Sequence, residues 1–255
     1  MSTSVVLSTL EFDVLWEAEG LPDRHPAVHV PSPGRTFAER DGLVRSAMAG
    51  LAARGLAEAG RAAPDLGDWL SLLAYAPTGL DSWVWTDHEI ASLAVSSGER
   101  ALLCVVDGDE VWLIPARATA LADAAVSIAG EVPAGPGRSV SLPTDVLAAA
   151  DAAAGGDPQA MITTLESGGV PLSEAQVLAS MLVGMGVRGQ FGAERAGRGE
   201  RRRERAGRVV AFHDTPGGRY LYLTRPGGDG RSWSTVTPAD NARIAQCLWE
   251  LLDEV

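Results

Sequence analysis

At 255 residues, with 46% apolar and 21% charged side chains, the chain can build one large domain or two small ones around an ordinary core. Its formal net charge of −12 sets a mean field that repels phosphate, which argues against general binding of nucleic acid or an acidic membrane surface. Every basic residue apart from histidine is Arg, and Ala and Gly are abundant; this is the bias a GC-rich genome writes into a protein, and it carries no chemistry. The two cysteines, Cys104 and Cys247, sit in apolar patterns and read as buried, reduced small hydrophobes rather than a disulfide. Met1 is not followed by a basic region, and Glu11 and Asp13 break the first apolar run, so no secretory signal is expected. No apolar stretch reaches about 18 residues without a charge or a breaker, so no membrane span is expected and the chain should be cytoplasmic.

Val5-Val-Leu7 reads as a short strand. Ser8-Thr-Leu-Glu11 has capping-box spacing and starts a helix to about Ala18, with Phe12, Leu15 and Trp16 on one face. Ala27-Val-His-Val30 reads as another short strand. Thr36-Phe-Ala-Glu39 repeats the capping-box spacing and opens a long helix to about Arg54. A shorter helix begins at Pro64-Asp65, capped by Asp65. From Leu80 to Pro115 the period changes to two. Ser82-Trp-Val-Trp85 and His88 to Val95 are strands; Ala101 to Val106 and Glu110 to Ile114 flank Asp107-Gly108-Asp109, a hairpin turn. Pro115 should end the last of these strands, and Ala116 to Ala129 is a helix.

The second half opens at the breaker-rich Pro133-Ala-Gly-Pro-Gly137. Ser139 to Leu142 is a short strand, and helices follow over Pro143–Ala154, Asp157–Glu166 and Pro171–Met185, the last with Leu178, Met181, Leu182 and Met185 on its apolar face. Gly186 to Val255 reads as three or four antiparallel strands closed by a helix. Val209 to Phe212 and Tyr220 to Thr224 flank the turn Asp214-Thr-Pro-Gly-Gly218, and Ser232 to Thr237 alternates as a half-buried strand does. Thr237 then caps a helix with Pro238 at its first position and Ile244, Cys247, Leu248, Leu251 and Leu252 on one face. Helices, then antiparallel strands, then one helix thus occur over about residues 36–129 and again over 143–253. The pattern predicts an α+β fold, two similar halves sharing one sheet about a pseudo-twofold axis.

Candidate chemistry is sparse. His25, His29, His88 and His213 are not spaced for a metal with another His, Cys or carboxylate. Neither Gly184-Met-Gly186 nor Gly189-Gln-Phe-Gly192 follows a strand and opens a helix, so no phosphate loop is expected. No serine elbow occurs, and no cofactor, metal or catalytic set is expected. From Arg188 to Arg208, eight Arg face three Glu, so this segment is +5 and the remainder −17. Its glycines, and the lack of interleaved aromatics, fit a solvated loop better than a nucleic-acid arm. Trp83 and Trp85, two apart on a strand, share a face that is either core or a contact surface.

Val5-Val-Leu-Ser-Thr-Leu-Glu-Phe-Asp-Val-Leu-Trp16 resembles the opening of the EspG family, secretion-associated chaperones of actinobacterial type VII (ESX) systems. Val30-Pro-Ser-Pro-Gly34, Gly137-Arg-Ser-Val-Ser141, Gly189-Gln-Phe-Gly192, the run from Phe212 to Tyr220, and Val236-Thr-Pro-Ala-Asp240 are similar to later pieces of the same family and stand in the same order. The resemblance implies a central antiparallel sheet, quasi-twofold halves and two helical bundles. It also implies a cytosolic chaperone that covers the apolar helical tip of a PE–PPE heterodimer, or of another ESX-associated protein. In the family the contact groove is lined by a strand, a hairpin loop and the C-terminal helical bundle. That places partner contacts by region at Trp83, Trp85, His88 and Ile90, and at Leu178, Met181, Met185 and Phe191. A regulatory or structural interaction protein of this fold, homodimeric and without such a client, is the competing reading; an uncharacterised enzyme is the third.

Overall fold

The computed structural model describes residues 4–196, 203–228 and 230–255. They fall into two units, one taking the described residues of 1–83, 88–128 and 194–204, the other those of 84–87, 129–193 and 205–255. The class is α+β, with antiparallel ladders and helices segregated from the strands.

In the first unit, β1 (Val5–Ser8) leads into α1 (Thr9–Ala18) through the expected capping box. Ser8 Oγ accepts from Glu11 N at 3.1 Å, and Glu11 Oε2 accepts from Ser8 N at 2.8 Å. The second capping box, Thr36 with Glu39, opens α2 (Phe37–Ala53). A two-strand ribbon, β2 (Ala57–Glu58) and β3 (Arg61–Ala62), precedes α3 (Pro64–Tyr75). Pro64 stands at its first position, as a residue without an N–H suits. Asp65 does not cap α3; it lies in the first turn, and the N-cap Ala63 offers no side chain. The expected strand at Ala27 to Val30 is instead a 3₁₀ turn, Pro26–Val28, whose amide N–H at Ala27 is taken by His25 Nδ1 at 3.1 Å. The strands β4 (Thr78–Trp85), β5 (Glu89–Ser97), β6 (Arg100–Asp107) and β7 (Glu110–Arg117) follow, and β1 closes the order as β1-β7-β6-β5-β4. The turn Gly108-Asp109 joins Asp107 to Glu110, with Gly108 at φ 57°, where a side chain would be strained. Pro115 does not end β7. Among the described residues the ladder with β1 runs from Glu110 to Leu113 and does not include Pro115, so the missing N–H removes none of its bonds.

Phe12, Leu15 and Trp16 of α1 join Leu51, Leu66, Leu70 and Leu73 over a sheet face of Leu93, Val95, Leu102, Cys104, Val111 and Leu113. The opposite face, with Ala94 and Leu103, is covered by the short α4 (Leu121–Val126), so β5 and β6 lose the alternation of a half-exposed strand.

The second unit repeats this order. β8 (Val140–Pro143) leads into α5 (Thr144–Ala154), α6 (Pro158–Ser167) and α7 (Leu172–Leu182), then β9 (Arg188–Ala196), β10 (Arg203–Arg205), β11 (Val210–Thr215), β12 (Gly218–Pro226), β13 (Ser232–Pro238) and α8 (Asn241–Leu252), of which Glu194–Ala196 of β9 and Arg203–Glu204 of β10 count with the first unit. Its strands run β8-β13-β12-β11-β9, with β10 paired to β9. As β1 does on β7, β8 pairs antiparallel with the last strand, β13. The recurring unit therefore includes β1 and β8, which the boundaries at 36 and 143 leave out. Thr237 and Pro238 belong to β13; the cap of α8 is Asp240, whose Oδ1 accepts from Arg243 N at 2.9 Å.

Candidate functional site

The second unit opens a groove between its helices and its strands. α5 buries Leu147, Ala150 and Ala154, and ends at Gly155 and Gly156, with φ of 52° and 90°. Asp157 then caps α6 by accepting from Gln159 N at 2.9 Å, with Pro158 in the first position. α7 stops at Leu182, three residues earlier than its apolar period suggests, because Val183 turns extended and Gly184 takes φ 73°. Val183 and Met185 are thereby thrown outward, 47% and 45% exposed. Two adjoining hollows result. One, of about 310 Å³, is lined by Leu147, Ala148, Asp151, Leu182, Met185, His213 and Tyr222. The other, of about 240 Å³, runs past Ala154, Pro158 and Met161 and shares Asp151, Leu182 and Met185.

The floor is fixed by polar bonds that point away from the groove. His213 Nε2 donates to Met181 O at 2.9 Å, tying β11 to the end of α7, and its ring stacks on Tyr220 at 5.4 Å. Burial pushes the His213 pKa below the ordinary imidazole value, so the ring is neutral at pH 7. Tyr222 and Ser234 share a hydroxyl bond at 2.8 Å, and Ser234 donates to Thr144 at 2.9 Å. Beneath lies Arg219, with no exposed surface. It donates to both carboxylate oxygens of Asp214 (2.7 and 2.9 Å), to the carbonyls of Gly130 (3.0 Å) and Ala129, and to Asn241 Oδ1, and it lies over the Phe212 ring at 4.6 Å. Gly218 at φ 131° has no room for a Cβ, which would meet the backbone of Gly135 at 2.7 Å. The run Phe212 to Tyr220 is thus scaffold. Of this run, His213 lines the groove, and Arg219, Gly218 and Tyr220 are buried.

The expected contact residues divide between core and surface. Leu178, Met181 and Phe191 are fully buried and offer no side-chain surface in the free chain. The apolar face of α7 looks into its own bundle with Leu147, Leu165 and Ala175, and Phe191 stacks on Phe212 at 5.9 Å. Of that group only Met185 lines the groove. Trp85 is half-buried with the Arg188 guanidinium 5.9 Å from its ring centre. In the first unit, Trp83 is half-buried against the core, Ile90 is half-buried, and His88 is exposed and paired with Asp107. The hollows are lined besides by Leu147, Asp151, Met161, Leu182, Val183 and Tyr222, none of them expected from the sequence as a contact. Their one sequence signal is Gly184, which stops α7 and turns its last apolar residues outward.

The basic segment is described only at its ends. Arg203 in β10 donates to the buried Glu194 and, at 2.9 Å, to Ala76 O, and Arg208 is bound to Glu254. The expectation of a solvated loop from Arg195 to Arg208 is corrected where the segment is described: Arg195 and Ala196 end β9, Arg203–Arg205 is β10, Ala206 is buried and Arg203 and Arg208 are ion-paired, while residues 197–202 lie outside the described residues. Among the described residues no group of three or more His, Cys, Asp or Glu could hold a metal ion, and no helix is long and apolar enough to cross a membrane. The groove's titratable side chains are Asp151, Asp157, His213 and Tyr222.

No functionally curated protein matches the chain in sequence. In fold it is similar to the type VII secretion system chaperone EspG5 of Mycobacterium tuberculosis, solved in complex with a PE25–PPE41 dimer. The TM-score is 0.78 at 12% identity, covering 99% of this chain and 97% of that one. The model of the EspG family matches residues 8–250, nearly the whole sequence. The chain belongs to the EspG family.

Proposed function

We propose that the protein is a cytoplasmic chaperone of a type VII secretion system, and that its groove covers the apolar helical tip of a PE–PPE heterodimer until the dimer is secreted. The observation that carries this reading is the apolar groove beside α5 and α6, with Val183 and Met185 held open to solvent in a chain of the EspG family. The likeness to EspG5, a chaperone whose structure holds a PE25–PPE41 dimer, supports the choice of client. A helical tip with exposed apolar side chains aggregates in water. A chaperone needs to bury that tip reversibly, and for that a shaped apolar surface is enough; the reading calls for no catalysis. Apolar side chains held outward on a turn locked by Gly184 are preorganised for burial, so little ordering cost opposes binding. The test is co-expression with the PE–PPE pairs of the same genome. A stable ternary complex is expected with the wild type and its loss with Met185→Asp, with the melting temperature unchanged because Met185 is exposed. Equal recovery by both would overturn the reading.

A further inference from the structure

Asp151 stands where the two hollows meet and lines both. It is exposed, and its carboxylate has no hydrogen-bond or ion-pair partner among the described residues. The other acid of α5 is placed differently. Asp145 lies in the first turn, where the helix dipole favours an anion, and Arg231 grips it at 2.8 and 2.9 Å. Asp151 lies in the last turn, where the dipole opposes it, beside Leu182 and Met185. No cation lines either hollow: Asp157 is occupied in capping α6, and His213 is bound to Met181 O. One unpaired negative charge therefore sits at the waist of an apolar groove, in a protein that carries −12 overall.

We propose that the occupant of this groove is an apolar helical tip bearing a lysine or arginine whose cation pairs with Asp151 while its apolar side chains pack against Leu182, Met185 and Tyr222. This rests on the client reading above and adds the chemistry that selects the client. The apolar part of the groove accepts any tip of suitable size; the carboxylate rejects tips that would bring an acid, or no cation, to its waist. A like charge brought beside the exposed Asp151 carboxylate is repelled, and that repulsion is screened by salt.

The experiment is calorimetric titration of purified PE–PPE heterodimers from the same genome into the wild type, Asp151→Asn, Asp151→Arg and Met185→Asp, at ionic strengths of about 0.05 and 0.5 M, which bracket strong and weak screening. Asp151→Asn should weaken binding about threefold and Asp151→Arg tenfold or more at low salt, both losses shrinking at high salt as a rim charge pair does. Exchanging each Lys or Arg of the tip for Glu should reveal one position that restores binding to Asp151→Arg. Wild-type affinity for Asp151→Arg at both salts, with binding abolished by Met185→Asp, would overturn this inference and leave the chaperone reading standing. Equal losses at both salts would overturn it as well. No binding of any heterodimer by the wild type, or a groove closed by a second copy of the chain in sedimentation, would overturn both.

Discussion

Arg219 and Met185 show how differently two side chains of one unit serve it. Arg219 is wholly buried, and every partner it has lies in the same scaffold: Asp214, Asn241 and the carbonyls of Ala129 and Gly130. Removing one partner of a buried charge pair leaves the other desolvated and alone, at a cost of about 3–5 kcal/mol. Asp214→Ala should therefore lower stability by that order in denaturant unfolding, and a loss within experimental error would mean that water reaches Arg219. Met185 is exposed, so Met185→Ala should leave stability unchanged and cost client binding about 1–2 kcal/mol, as truncating an interface side chain does. His213 adds a pH dependence. Burial lowers its pKa in the fold, so the unfolded chain binds more protons as pH falls through the ordinary imidazole value of 6.5. Its contribution is thus fully present above that pH and declines on acidification. The wild type should lose stability between about pH 7 and 5, and His213→Gln should lose less over the same range; identical slopes would contradict the assignment.

At the scale of elements, what the sequence made legible was local. Ser8 with Glu11 and Thr36 with Glu39 announce their helices because a capping box is closed by four consecutive residues. Asp107-Gly108 announces its hairpin for the same reason. The misreadings are decided from farther away. Pro115 is tolerated because the ladder with β1, a hundred residues earlier, does not include it among the described residues. Thr237 is kept in β13 by pairing with Leu221, so the cap passes to Asp240. The apolar period of α7 holds to Leu182 and not to Met185, and periodicity cannot say whether a stripe faces solvent or a neighbouring helix. Leu178 and Met181 went to the bundle, and the groove is lined here by Leu182, the last residue of the helix, with Val183 and Met185 beyond it. β10 carries a prediction of this kind. Glu194 is a nearly buried carboxylate held by Arg203, with His25 Nε2 at 3.6 Å. Arg203→Ala should destabilise the first unit by about 3 kcal/mol, the cost of stranding a buried acid; an unchanged melting temperature would show that β10 is dispensable.

For the whole molecule, the order of helices and strands was legible twice over, and the strand orders β1-β7-β6-β5-β4 and β8-β13-β12-β11-β9 have the same form. Each unit is expected to superpose on the other with β1 on β8 and β7 on β13; an experimental structure in which these strands run in opposite senses would contradict a repeat. The family was legible because its motifs are scaffold motifs. Gly218 and Arg219, in the motif from Phe212 to Tyr220, are fixed by backbone contact and buried charge, whereas Asp151, Leu182 and Tyr222 of the groove stand in none of the family motifs. The proposed client surface carries little signal in the chain, and binding there is its direct test. That test is hydrogen exchange on the chain alone and with a PE–PPE heterodimer from the same genome. Slowed exchange is predicted over α5, α6 and residues 182–186, with no comparable change in α8. Protection confined elsewhere, with those segments exchanging as fast as in the free chain, would contradict the groove as the client site.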